Sequence, residues 1–182
     1  NKKMDLEIVD IMDSENEVQE KVKELGDIIT RDYMGEELLV VGILKGAFIF
    51  MADLVRNINL PLEVDFMSVS SYGTSTISSG EVKINKDLDY SIKGKQVLIV
   101  EDIVDTGLTL NYIKGILEKR EPKGIKICCL LDKPSRRKAD INPEYIGYSI
   151  PDEFIVGYGL DYAEKYRNYP AVCILKTKAI EI

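Results

Sequence analysis

Histidine and tryptophan are both missing from this 182-residue chain. Without histidine, acid–base chemistry must fall to carboxylates, lysine, tyrosine or cysteine. The commonest ligand for zinc and copper is gone as well. Hard cations bound through oxygen, magnesium among them, remain open. Cysteine is scarce: Cys128, Cys129 and Cys173 each sit in an apolar, strand-like run. Neighbours on a strand point to opposite faces, so Cys128 and Cys129 cannot share a metal or a simple bridge. They read as small buried hydrophobes in a reducing compartment, which points to the cytoplasm. No apolar run approaches the roughly 20 residues of a membrane span. The first residues, NKKMDLEIVD, lack the apolar core of a signal peptide, and Asn1 in place of Met points to a trimmed start. Positive charge is the minority sign, 24 Lys and Arg against 31 Asp and Glu, for a net charge of −7. A sequence-independent grip on nucleic acid needs a basic face, so neither nucleic acid nor membrane is an expected partner.

What is present is an alternation of apolar strands and helices. Residues 14–35 read as a first helix: Ser14 with Glu17 makes a capping box, and Val18, Val22, Leu25 and Ile29 keep helical spacing. Gly35 supplies its stop. Buried strands are expected at 37–44, 97–102 and 124–132, a half-buried strand at 62–72, and helices at 47–58 and 108–120. VKI (82–84) resumes an extended run, and EYIGYSI, FIVGYGL and AVCILK are strand-like. LDYAEKYRN is compatible with one or two helical turns, and Arg136, Arg137 and Lys138 read as a solvated turn. No repeat or linker divides the chain, so a single domain is expected. The alternation predicts an α/β fold, a mainly parallel twisted sheet flanked by helices.

Parallel sheets bind ligands at the carboxyl ends of their strands. Three polar clusters fall at such ends: Lys45-Gly46, Glu101-Asp102-Asp105 and Asp132-Lys133. The stretch VLIVEDIVDTGLTL (97–110) carries most of the chemistry. In Asp105-Thr106-Gly107-Leu108-Thr109, glycine allows a tight turn and the helix start offers unpaired N–H groups, a cradle for a phosphate monoester. It is neither a Walker loop nor a dinucleotide loop, since neither glycine pattern is present. Glu101 and Asp102 suit hydroxyls or magnesium instead. A phosphorylated sugar with a vicinal diol satisfies both halves of the stretch.

VLIVEDIVDTGLTL resembles the signature of the type I phosphoribosyltransferases, which bind 5-phosphoribosyl-1-pyrophosphate (PRPP). GILKGAFIFMADL, VSSYGTSTISSGEVKI, LLDKPSRR and IPDEFIVGYGLDYAEKYRNYP narrow the resemblance to the bacterial hypoxanthine-guanine members, over roughly residues 38–175. The resemblance implies a core at about residues 36–140, a hood from 1–13 and about 141–182, and a homodimer or homotetramer. It implies transfer of phosphoribose from PRPP to a 6-oxopurine, with magnesium as cofactor. It implies that Asp105 is the general base and that Thr106, Gly107, Leu108 and Thr109 hold the 5′-phosphate. Glu101 and Asp102 would meet the ribose hydroxyls and metal. Leu44-Lys45-Gly46, through a cis peptide before Lys45, and Arg167 would meet pyrophosphate. Lys133 would reach the purine O6, Phe154 stack on the base, the Ile155 backbone read its C2 side, and Asp161 contact a second magnesium. Ser71 and Tyr72 would belong to a lid formed by 70–81. Other readings are a xanthine-preferring transferase, a non-catalytic PRPP-sensing regulator and a magnesium-dependent sugar-phosphate hydrolase.

Overall fold

The computed structural model describes residues 5–72 and 81–178; the central part of the expected lid, 73–80, lies outside them. Along the chain run β1 (Asp5–Asp13), α1 (Glu15–Asp32), β2 (Leu38–Leu44), α2 (Phe48–Arg56), β3 (Glu63–Ser71) and β4 (Val82–Lys86). β5 (Gln96–Val104), α3 (Leu108–Glu118), β6 (Gly124–Asp132), β7 (Tyr145–Ser149), β8 (Ile155–Val156) and β9 (Val172–Lys178) follow.

The capping box at Ser14 forms as expected: Glu17 N donates to Ser14 Oγ at 3.2 Å, and Ser14 N donates to the Glu17 carboxylate at 3.4 Å. Val18, Val22, Leu25 and Ile29 are buried along one stripe of α1. Each contributes about 1.5–3 kcal/mol in removing its side chain from water. Gly35 adopts a left-handed φ of 80°, which lets the chain turn from α1 into β2.

The larger sheet has the order β4-β3-β2-β5-β6-β7. Pairings from β3 through β7 are parallel, and β4 closes one edge antiparallel to β3. The apolar runs of β2, β5 and β6 fill the centre because both faces of a parallel sheet are covered. Cys128 packs in the core on one face and Cys129 in the core on the other, the alternation that keeps them apart. Burial pushes the pKa of both thiols well up, as inert core cysteines require.

The smaller sheet is antiparallel, β1-β9-β8. β1 was not legible as a strand, because its partner is β9, at the far end of the chain. β7, within the segment expected to form the hood, instead pairs with β6, Cys128 facing Tyr145. Residues 161–168 are not helical. They form tight turns, with Tyr162 bridged to Lys165 and positive φ at Ala163, Glu164 and Tyr166. Tyr158 ties this region to α2 by donating its hydroxyl to Asp53, which also accepts from Gln19 Nε2 at 3.1 Å. No helix among the described residues is long and apolar enough to cross a membrane.

Candidate active site

β5 runs two residues beyond the acids, to Val104, so Glu101 and Asp102 stand inside the strand's last turn of pleat rather than after it. Val104 ends the strand buried, and Asp105 and Thr106 leave it as a turn. Gly107 caps α3 with φ 77°. A side chain there would be strained and would meet Ile141 at 2.5 Å and Arg137 at 3.2 Å. Leu108 N donates to Thr106 Oγ1 at 3.4 Å. The first N–H groups of α3 have no helical carbonyl to serve. A cavity of about 170 Å³ opens over this turn, lined by Glu101, Asp105, Thr106, Gly107 and Thr109.

The Lys45-Gly46 turn closes one side. The Leu44–Lys45 peptide is cis. A methyl group on Gly46 would collide with the Asp102 carboxylate, and one on Gly159 would collide with the Gly46 carbonyl. The β2 turn is thus threaded between the acids and the loop that follows β8. A second cavity, about 350 Å³, is lined by Leu44, Lys45, Phe48, Glu164 and Arg167. Glu164 bridges its two cations, 2.9 Å from Lys45 Nζ and 3.4 Å from Arg167 Nη2. Arg167 also lies 3.5 Å from Asp161 and donates to the Gly159 carbonyl at 2.7 Å.

The opposite side is built by the segment after β6. Lys133 is buried, and its Nζ donates to Asp152 at 3.3 Å. Arg136 Nε donates to Asp105 at 2.9 Å, and its Nη1 lies 3.9 Å from Asp152. Two cations and two carboxylates therefore line this part of the cleft. Phe154, half-exposed, presents its edge or face to Tyr162 at 5.7 Å in a T-shaped pair, while Ile155 is buried. Ser71 ends β3, and Tyr72 is exposed.

Electrostatically, the acids of β5 are the uncomfortable groups. Burial, then the neighbouring Asp102 charge, holds Glu101 well above the usual carboxylate range. Burial also raises Asp102, against a hydrogen bond from Ile103 N. Lys45 holds Glu164 below its ordinary value. Among the described residues no group of three or more metal-ligating side chains is assembled. Glu101 and Asp102 are neighbours on a strand, yet their carboxylates lie close enough for the Asp102 charge to raise Glu101, and such a pair would suit a magnesium ion that takes its remaining ligands from water and a bound phosphate.

The solvated turn expected at Arg136–Lys138 is corrected at Arg137. Its side chain is mostly covered, pairs with Asp132 and donates to the Asp105 carbonyl at 2.8 Å. Glu164 and Asp152, which pair with the cleft's cations, carried no signal in the sequence beyond their closeness to Arg167 and Phe154.

A mainly parallel α/β sheet with a cavity over the turn at the carboxyl end of a central strand has the place where sheets of this class bind ligands. The phosphoribosyl transferase domain family matches residues 9–163, and the chain belongs to that family. It is 55% identical over 175 residues to the hypoxanthine-guanine phosphoribosyltransferase of Bacillus subtilis, covering 96% of this chain and 97% of that one. It is 55% identical over 163 residues to the hypoxanthine phosphoribosyltransferase of Haemophilus influenzae, covering 88% and 91%. A crystal structure of a hypoxanthine-guanine phosphoribosyltransferase from Bacillus anthracis superposes with a TM-score of 0.90 at 52% identity, covering 95% of this chain and all of that chain.

Proposed function

We propose that the chain transfers the 5-phosphoribosyl group from PRPP to hypoxanthine or guanine, yielding IMP or GMP and pyrophosphate. The observation that carries this is the meeting of three distant segments at one sheet edge: the 101–109 turn, Lys45-Gly46 and Lys133. The bond from C1 of the ribose to pyrophosphate breaks as a bond to the purine N9 forms, through an oxocarbenium-like state. Thr106 to Thr109 hold the 5′-phosphate with main-chain N–H groups. Asp105 takes the proton that leaves N7; a carboxylate is the natural base in a chain with no histidine. Arg136, which holds that carboxylate at 2.9 Å, gives way to the purine.

Lys45 and Arg167 neutralise the departing pyrophosphate, Gly46 meets it through the main chain, and Glu164 is the anion the two cations exchange for it. Lys133 is a donor only, so it serves an O6 carbonyl and mismatches the 6-amino group of adenine. Its burial next to Asp152 supports a fixed direction for that donor. The half-exposed ring of Phe154 supports stacking on the base, with the Ile155 backbone on the C2 side. Glu101 and Asp102 hold the ribose hydroxyls and magnesium, with Asp161 toward a second ion; the metal supplies charge neutralisation of the pyrophosphate when bound. Ser71 and Tyr72 begin the lid. The β1-β9-β8 sheet is the hood over the core. We extend the proposal to a cytoplasmic homodimer or homotetramer, with exposed Phe48 on α2 as a contact.

The test is a purine panel with PRPP and magnesium, following nucleotide formation and pyrophosphate release. Hypoxanthine and guanine are turned over, and adenine falls by about 10⁴-fold. Pyrophosphate release that needs no purine would overturn the reading in favour of a hydrolase.

A further inference from the structure

A phosphate site made of N–H groups has a second requirement: the carbonyls of the same peptides must point elsewhere. In a trans peptide the C=O of one residue and the N–H of the next lie in one plane and point in opposite directions. Anchoring a carbonyl therefore aims the following N–H. In the turn from Val104 to Gly107 each carbonyl is anchored by a protein donor. The Val104 carbonyl accepts from Lys133 N at 2.9 Å. The Thr106 carbonyl accepts from Lys138 N at 2.9 Å and Ala139 N at 3.1 Å. The Gly107 carbonyl accepts from Asn111 N at 2.9 Å as α3 begins.

The Asp105 carbonyl is the exception in kind. Its donor is a side chain, Arg137 Nη1, at 2.8 Å. The other arm of that guanidinium is held by Asp132, and the two side chains are 12% and 6% exposed. The arginine stem also forms part of the wall that bars a side chain from Gly107. Among the described residues the N–H groups of Thr106 and Gly107 meet no protein acceptor, as donors kept for a ligand must.

We infer that Arg137, oriented by Asp132, is a positioning residue for the 5′-phosphate: it fixes the Asp105–Thr106 peptide so that the Thr106 N–H faces the anion. Arg137 touches no substrate in this role. It also links the two halves of the site, because the segment that anchors the turn is the one that carries Lys133. The inference rests on the reading of 105–109 as the 5′-phosphate site.

Arg137→Lys keeps the charge but cannot span both Asp105 O and Asp132. Ribose 5-phosphate is titrated by calorimetry into wild type, Arg137→Lys and Arg137→Ala, with thermal unfolding recorded for each. Arg137→Lys is expected to bind ribose 5-phosphate about tenfold more weakly, the loss of one hydrogen bond from a charged donor. KM for PRPP rises by the same factor, while KM for hypoxanthine at saturating PRPP and kcat stay within about twofold. Added guanidinium restores part of the binding to Arg137→Ala. Asp132→Asn, which keeps an acceptor for the guanidinium, shows a smaller loss in the same direction, and it decides the matter if the arginine variants do not fold. Unchanged ribose 5-phosphate affinity in a folded variant, or equal rises in KM for PRPP and hypoxanthine, would overturn the inference. Failure of the wild type to bind ribose 5-phosphate would instead overturn the site assignment beneath it.

Discussion

The two regions proposed to hold the ends of PRPP are built on opposite plans. The turn at 105–109 presents main-chain N–H groups, anchored by the segment that follows β6 and closed in by Ile141 and Arg137. The region at Lys45, Glu164 and Arg167 presents long charged side chains, with Lys45 and Glu164 both mostly exposed. The first plan is arranged largely by folding itself, because hydrogen bonds to the turn's carbonyls set the directions of its donors. The second must be arranged at each turnover, since its cations already hold Glu164. A fixed cradle suits the phosphate that stays with the nucleotide, and an exchangeable charge cluster suits the pyrophosphate that leaves.

The largest expected effect separates holding from reacting within the fixed region. Asp105→Asn leaves the main-chain cradle intact, so PRPP affinity stays within about twofold while kcat falls by about 10²–10⁴-fold, the range for a lost general base. Single-turnover rates with PRPP binding measured alongside decide this. A variant with wild-type kcat would remove Asp105 from the chemistry.

Lys133→Ala comes next. The Lys133 main-chain N–H anchors Val104, and alanine retains it, so the cradle should survive. Steady-state kinetics should show kcat/KM for hypoxanthine falling about 10–100-fold, as for a lost hydrogen bond from a charged donor, with the PRPP dissociation constant unchanged. Equal losses on both substrates would mean that the two halves of the site are not separable in this way.

The same contrast explains what could be read in the sequence. The fixed cradle was legible because its chemistry is contiguous: apolar strand, acids, Asp-Thr-Gly turn, helix. So were the sheet core and the convergence of three strand ends, since period and polarity report them directly. The hydrogen bonds that hold the cradle were not, because Arg137 looks like any residue of a basic surface turn until the fold brings Asp132 and the Asp105 carbonyl to it. LDYAEKYRN is compatible in composition with one or two helical turns, but residues 161–168 form tight turns. Their geometry is instead set by a tertiary requirement, the approach of Gly159 to Gly46 and of Arg167 to the Gly159 carbonyl. β1 escaped notice because its pairing partner lies at the other end of the chain.

The acids of β5 belong to neither plan, and they give a smaller, opposite effect. Glu101 is raised by burial and then by the Asp102 charge, so the folded protein binds a proton there more tightly than the unfolded chain does. The contribution of Glu101 to stability is therefore greatest below the ordinary glutamate value of about 4.3 and falls as pH rises through its elevated range. Glu101→Gln should flatten that decline and raise the Tm of the ligand-free protein at neutral pH by about 2–4 °C, the shift that about 1 kcal/mol produces in a chain of this size. Calorimetric scans across pH, with and without magnesium and PRPP, test it. Addition of both ligands should stabilise the wild type more than the variant. A Tm lowered by the substitution would show that the pair is not repulsive in the free protein.

The smallest effect falls on the exchangeable region. Glu164 occupies both cations that pyrophosphate is proposed to use, and Lys45 holds its carboxyl below the ordinary glutamate value. Removing the charge without changing the shape, as in Glu164→Gln, should therefore tighten pyrophosphate binding rather than weaken it. Exposed ion pairs are weak and screened, so the gain is limited to about 1.5–5-fold, and it should shrink as salt is added. Ribose 5-phosphate affinity should not change, because the anchored turn at 105–109 has no competing anion to lose. Isothermal titration of pyrophosphate and ribose 5-phosphate at two ionic strengths distinguishes the two regions in one variant. Weaker pyrophosphate binding would make Glu164 a support for Lys45 and Arg167 rather than a stand-in for the ligand, and the exchange plan would then fail at the place where it is drawn.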